Sequence, residues 1–444
     1  MSKKYSKYLS LIFINILFLS FIEIRADNID EALIKIEDGD FISAKNLLEA
    51  ANPKTNAIAN LYLGRIAFLN YDFDEAENYY GQYKKLIDKK RVDPDEDYYD
   101  FENELEIATN SLRNVEKIVI IDSIAVPKSD FFKNIRLPES AGFILNNDEL
   151  SQLGVSNGSS GFLNEGLDFL LWSAEIPEGE NHIYMSEKLL DGNWEEPVFL
   201  DEKLNIGPNQ FYPFMAGDGT TVYFASDGED SMGGLDIFIA KMTAGSREFF
   251  QPANLGMPYN SPFDDYMLAI DEENGIGWFA TDRNLLGDKL TLYVYLLNDM
   301  RSNYNSDMED ITSFAKIDDY KLTWNGDEKY SHLASSKIPS IASSPANSIN
   351  PVTDREFELP FDNRIYYKFT EFKKRGTEKA MRAYLQEKEI LDSKEKKLDI
   401  LRRKFAESKS ENVKKEIVTL ENEVEKLRLS VSQKLNEVYR AERK

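Results

Sequence analysis

A block of about 54 residues recurs three times in the middle of the chain, and no other feature restricts the fold as much. Phe169-Leu170-Leu171-Trp172-Ser173 aligns with Val222-Tyr223-Phe224-Ala225-Ser226 and with Gly277-Trp278-Phe279-Ala280-Thr281, at steps of 53 and 55. A second apolar run follows each one: Ile183-Tyr184-Met185, Ile237-Phe238-Ile239 and Leu292-Tyr293-Val294, at steps of 54 and 55. Trp194-Glu195-Glu196-Pro197 aligns with Phe249-Phe250-Gln251-Pro252, and Asn205 with Asn260, each at a step of 55. Short alternating runs bounded by Gly, Asp, Asn and Pro read as antiparallel strands. A unit with about four such strands is a sheet apolar on both faces, which buries itself only by stacking on its neighbours.

The string YFASDGEDSMGGLDIFIA, Tyr223 to Ala240, resembles the propeller repeats of TolB-like periplasmic proteins, especially exported repeat proteins of Bacteroidota. The resemblance is weaker at Asp265 to Tyr295, where Asp282-Arg283-Asn284 replaces the aspartate-glycine turn, and weakest at Asp168 to Glu187. It implies a central all-β propeller over residues 117–300. That stretch holds only about 3.4 units of this length, whereas closed propellers carry roughly four to eight blades. A degenerate first blade at Ile118 to Asn146 is the preferred way to make up the number. A closing strand from the aromatic segment Phe357 to Phe372 is a second, and an open array, or one completed by a partner, is a third.

Ahead of the sheets, residues 27–116 read as helical hairpins with a 32-residue repeat. Gly39-Asp40-Phe41 through Ala44 matches Tyr71-Asp72-Phe73 through Ala76. In the second copy Leu63-Gly64 strips side-chain bulk from a helix crossing, and Tyr80 and Tyr83 fill the space alongside; the first copy has Ala32 in place of the glycine. This resembles the tetratricopeptide repeat. Asp95 to Asn114, with Tyr98, Phe101, Leu105, Ala108 and Leu112 on one face, reads as a capping helix. Two repeats and a cap offer either a short peptide groove or, preferably, a docking surface for the next domain.

Residues 301–376 read as irregular, and Ser331 to Val352, rich in Ser, Ala, Asn and Pro, as a mobile linker. Residues 377–444 read as helical. Tyr384, Leu391, Leu398 and Phe405 recur at steps of seven, joined by Leu401. After a polar break, Val413, Ile417, Leu420, Val424, Leu427 and Val431 alternate steps of four and three. An antiparallel hairpin is expected, with Lys394 and Lys434 at seam positions weakening any ideal coil. Self-association through these helices is the alternative.

The charge balance limits the partners. With 53 basic and 78 acidic side chains the net charge is −25, a field that repels phosphate backbones and anionic lipids, so nucleic acid is not expected as a partner. The acidity lies in the body, at −34 over residues 27–370, while residues 371–444 carry +6. Lys3, Lys4 and Lys7 precede the apolar run Tyr8 to Ile22, with Ala26 beyond it. Residues 1–26 therefore read as a secretory signal peptide. An uncleaved anchor is the alternative, because Ile24 stands where a small residue is preferred; the run is nonetheless shorter than the roughly 20 residues of a spanning helix. The expected location is the periplasm or the periphery of the cell envelope.

Chemistry is sparse. The chain has no cysteine, which removes disulfides, thiolate metal sites and thiol nucleophiles. His182 and His332 lie 150 residues apart, each without a metal-spaced neighbour. There is no phosphate-binding glycine loop and no nucleophile elbow. Counting from Asp227 along the loop Asp227-Gly228-Glu229-Asp230, Met232 and Phe238 stand where a calcium loop needs glycine and glutamate. A hairpin loop is the first reading there and a cation site the second. The candidate binding residues are Arg65 in the helices, the aromatics Trp194, Phe211, Tyr212 and Tyr266, and the acids Asp227, Glu229 and Asp230. No enzyme activity, metal or cofactor is expected. The resemblance implies a scaffold for envelope proteins, although no OmpA-like cell-wall domain follows. The alternative is a propeller that binds or cleaves glycans.

Overall fold

The computed structural model describes residues 28–189, 193–200, 204–243, 248–343, 357, 359–361, 364–366, 368–374, 376–408 and 411–443. The expected signal segment, residues 1–26, lies outside them. The chain divides into two compact units, Met1–Ile349 and Asn350–Lys444.

The first unit opens with helices α1 (28–37), α2 (Phe41–Ala50), α3 (Ala57–Leu69), α4 (Phe73–Lys90) and α5 (Glu96–Leu112). The two matched turns form the same structure. Gly39 and Tyr71 both adopt left-handed backbone, φ +74° and +65°. The aspartate after each caps the next helix: Asp40 accepts from the Ser43 amide at 3.1 Å and Asp72 from the Glu75 amide at 3.3 Å. A Cβ on Gly64 would fall inside the Tyr80 ring, so glycine lets α4 lay its tyrosine flat on α3. Tyr98, Leu105 and Ala108 of α5 are buried, as the capping-helix reading expects.

Thirteen strands then form three antiparallel sheets. The first contains β2 (Phe143–Asn146), β3 (Gly158–Leu163), β4 (Phe169–Glu175), β5 (Asn181–Glu187) and β6 (Val198–Phe199) in that order. The second contains β7 (Gln210–Met215), β8 (Thr221–Ser226), β9 (Asp236–Lys241) and β10 (Ala253–Asn254). The third runs β11 (Asp265–Asp271), β12 (Ile276–Thr281), β13 (Lys289–Leu296) and, on its outer edge, β1 (Val119–Pro127). Phe169, Val222 and Gly277 fall on β4, β8 and β12, and their partners across the ladder are Glu187, Ala240 and Tyr295, at the same offset each time. A register shift also recurs in each sheet between β3 and β4, β7 and β8, and β11 and β12.

The repeated asparagines explain how two of these sheets end. Asn205 accepts from the Ile183 amide at 2.7 Å, and Asn260 accepts from the equivalent Ile237 amide at 2.8 Å while returning a bond to the Ile237 carbonyl at 2.9 Å. Each carboxamide takes the place of a fourth-strand residue where β6 or β10 stops short. In the third sheet the equivalent residue, Leu292, pairs with Ile124 of β1, and no asparagine is needed.

Ile118 to Asn146 thus forms no blade of its own, which corrects the preferred expectation. Its first half completes the third sheet and its second half, β2, joins the first, because each of those sheets offers an open edge. Between them a 3₁₀ segment, Lys128–Asn134, inserts the fully buried Phe131 against the rings of Tyr212 at 5.1 Å and Tyr266 at 6.1 Å. Phe131 belongs to the hydrophobic cluster that all three sheets share. None of the sheets closes into a barrel.

The helices meet the sheets through their turns and through α5. The Phe41 ring lies tilted 6.5 Å from that of Phe263, Asn103 donates to the Glu229 carbonyl at 2.7 Å, and Ser111 accepts from the Met257 amide at 2.7 Å. One hydrophobic cluster joins α3, α4 and α5 to Met232, Met257, Ile311 and Ala315.

A short helix α6 (Asn147–Gln152) lies between β2 and β3. After β13 the chain forms α7 (Ile311–Lys316), a 3₁₀ turn at Tyr320–Trp324, and α8 (Glu328–Ser343). The stretch read as an irregular region and linker is thus without helix over 301–310 and largely helical over 311–343, and the rest of the expected linker, 344–352, lies outside the described residues. Thr323 and Trp324 bond the Ile120 amide and carbonyl at 3.0 and 2.7 Å, where a bulge interrupts the pairing of β1.

The second unit is a small hairpin, β14 (Leu359–Phe361) with β15 (Arg364–Tyr366), followed by α9 (Thr377–Ser408) and α10 (Glu411–Arg443). The aromatic segment at Phe357 to Phe372 packs on Met381 and Val438 of these helices and adds no strand to the sheets of the first unit. The two long helices run antiparallel along the expected seam of Leu391, Leu398, Leu401, Ile417, Leu420 and Val424. Lys394 and Lys434 turn out of that seam to meet Glu423 at 2.6 Å and Glu387 at 2.8 Å.

Candidate binding cleft

Among the described residues, one face of the first sheet carries no second sheet. Its apolar residues Phe143, Leu145, Leu163, Leu170, Trp172 and Ala174 pack on Leu150 of α6, on Leu153 and Val155 just after it, and on Leu167, Tyr184 and Trp194 of the sheet's own strands and loops. Asn146 and Glu149 close a reciprocal capping box that fixes α6. Gly158 and Gly161 let its Leu150 press onto β3, since a Cβ on either would stand 2.8 to 2.9 Å from that side chain. Covering part of the face in this way leaves a cleft of about 410 Å³ beside it.

Leu170, Trp172 and Ala174 form the floor. Trp172 and Tyr184, paired across β4 and β5, stack at 5.8 Å with 20° between their planes. Trp194 stands on the wall, held by its bridge to Lys188, whose Nζ lies 5.8 Å from the ring centroid. Ser186 donates to the Glu195 carbonyl at 2.8 Å and anchors the same wall. Glu175, Glu195 and Glu196 line the opening.

The residues singled out in the sequence fall in four places. Trp194 lies in this cleft. Tyr212 and Tyr266 meet at the centre of the sheets, 6.2 Å apart, with Phe211 beside Tyr212. The Tyr266 hydroxyl donates toward Asp282 at 3.1 Å and Asp264 at 3.3 Å. Burial first, and these two carboxylates next, push its phenol well up. The acidic loop is occupied internally: Asp227 accepts from the Asn209 amide and carboxamide, Glu229 from Asn103, and Asp230 from Asn254, the last two through backbone carbonyls. Arg65 is paired with Glu104 and lies over Phe68 and Phe101 at 5.0 and 4.5 Å, joining α3 to α5.

Trp172, Tyr184, Glu175 and Glu196 escaped the sequence reading. The first two look like ordinary strand residues, and only knowing that the face beneath them lacks a covering sheet distinguishes them from core. His182 lies 3.1 Å from Glu180, and His332 sits on α8. Among the described residues no group of three or more His, Asp or Glu side chains is placed to hold a metal ion, and no helix is long and apolar enough to cross a membrane. No protein-family model matches the chain, and neither does any curated protein or solved structure.

Proposed function

We propose that this is an exported, envelope-associated scaffold that binds other proteins and performs no catalysis, with a short tetratricopeptide-like array and three blades of a TolB-like propeller. The observation that carries the reading is the equivalence of the three cassettes, with matched ladder partners and matched bulges in successive sheets. A second support is the cluster that joins the helices to the sheets, which gives a surface already ordered before binding. Partners then lose little conformational freedom on the scaffold side, so a few anchor residues supply the affinity. Export rests on the signal pattern at residues 1–26.

Crosslinking in the native envelope, with identification of the captured proteins, tests the proposal. One or a few envelope proteins recovered reproducibly is the expected outcome. Confinement of the chain to the cytosolic fraction, or capture of nothing above background, overturns it.

A further inference from the structure

The cleft on the first sheet combines aromatic rings with carboxylates, and while Tyr184 and Trp194 keep aromatic counterparts, Phe238 and Phe249, in the next cassette, Trp172 and the carboxylates are not demanded by the repeat. One cassette later the second sheet carries Ala225 for Trp172, Gly228 for Glu175, Phe250 for Glu195 and Gln251 for Glu196. Strand pairing is the same in both sheets without these side chains. They are therefore additions to the fold, gathered around one concavity.

Their chemistry selects by charge. Aromatic faces attract cations through the ring quadrupole, and Lys188 already holds an ammonium over Trp194. Three carboxylates at the opening add Coulombic attraction that strengthens where the walls exclude water. A neutral ligand gains little from them and an anion is repelled. The acidic body, at −34 over residues 27–370, steers cations toward the surface. A volume of about 410 Å³ suits one or two side chains rather than a folded domain. The geometry points to this cleft as the seat of a lysine or arginine side chain of a partner polypeptide. This inference rests on the scaffold reading above and gives it a contact residue by residue.

The test is a titration of the full chain with a terminally blocked trilysine peptide, followed through the indole N–H signals. Trp172 and Trp194 report on the cleft, while Trp278 and Trp324 serve as internal references. The expected result is a saturable shift of the first pair alone. Glu175→Gln/Glu196→Gln weakens binding about 10-fold or more, Trp194→Phe weakens it severalfold, and the remote pair Glu37→Gln/Glu309→Gln leaves it unchanged. Undiminished binding in the first double variant, or equal loss in the remote one, overturns the proposal. A response to cellotriose without one to trilysine also overturns it and assigns the cleft to glycans. The scaffold reading fails separately. Trilysine binding as described, with no partner captured in the envelope, supports the cleft and counts against the scaffold. A partner captured equally by wild type and by Glu175→Gln/Glu196→Gln removes the cleft from an intact scaffold.

Discussion

Asn260 is wholly buried and satisfies both the amide and the carbonyl of Ile237, with a further bond to Asn254 at 2.8 Å. Asn260→Ala leaves the Ile237 amide without its partner in a dry interior, while the carbonyl keeps its bond from the Leu255 amide at 3.0 Å, a loss of about 1–3 kcal/mol that urea unfolding will show. Asn205→Ala, at the equivalent but partly exposed position, is expected to cost less because water reaches the orphaned Ile183 amide. Equal costs would mean that burial does not set the difference. A second buried polar group makes stability depend on pH. The Asp265 carboxylate accepts from Arg283 at 2.9 Å and from Ser261 at 2.6 and 2.8 Å. Burial outweighs these partners and pushes its carboxyl up to about 6. Since the unfolded carboxyl titrates near 4, the native state binds the proton more tightly between these values. Stability from this group is therefore present at low pH and lost as pH rises from about 4 to about 6. Buried Asp236 is shifted in the same direction, again chiefly by burial. The stability advantage of wild type over Asp265→Asn should accordingly shrink across that window. The Arg283 attraction is already contained in the position of this carboxyl, and exchanging the neutral acid for an amide adds only a constant offset, so a flat difference from pH 4 to 6 would refute the assignment.

Elements whose partners are near in sequence were legible, and those with distant partners were not. The 54-residue step located Phe169, Val222 and Gly277 on equivalent strands because strand alternation and turn glycines are local properties. The same holds for the helical turns at Gly39 and Tyr71, where an aspartate cap follows each left-handed residue. What covers the outer edge of β13 was not legible: β1 comes about 170 residues earlier, and an open edge leaves no mark on the sequence of the strand that will fill it. The Ile120 backbone likewise finds Thr323 and Trp324 from a stretch that reads only as irregular. The cleft was half legible, through Trp194, since burial cannot be inferred from a strand's own residues. In the second unit the heptad steps located both helices of the hairpin, and the structure shows the seam consumed within one chain. Association through that seam is then not expected. Removing residues 350–444, hairpin and helices together so that Phe357 and Phe372 are not stripped of Met381 and Val438, should leave the number of chains per particle unchanged in light scattering. A drop from dimer to monomer would show that the helices do join copies.

At the scale of the first unit, helices and sheets cannot separate without exposing shared core. Met232 and Met257 leave the sheet loops to lie among α3, α4 and α5, and burying each is worth about 1.5–3 kcal/mol. Below them Tyr71, Arg283 and Asp265 form a buried junction, in which Arg283 also donates to the Pro258 and Tyr259 carbonyls at 2.9 and 2.7 Å. Pulling the helices away would uncover that charged pair as well as the methionines. The chain path adds a second tie: it leaves α5, enters the outer strand of the third sheet and only then begins the first, so the earliest strand depends on the latest one. A sheet array tied in this way cannot lose its third cassette while keeping β1 in place. Independent melting of a helical domain and a sheet domain is therefore not expected. Native-state hydrogen exchange should give α3, β8 and β12 amides the same opening free energy, with one urea transition over residues 28–343. Met257→Ala, which cuts the helix–sheet contact at its centre, should lower all three protections together by about 2–5 kcal/mol. If α3 alone loses protection, the helices are an independently folded attachment, and the rigid combined surface on which the scaffold reading depends does not exist.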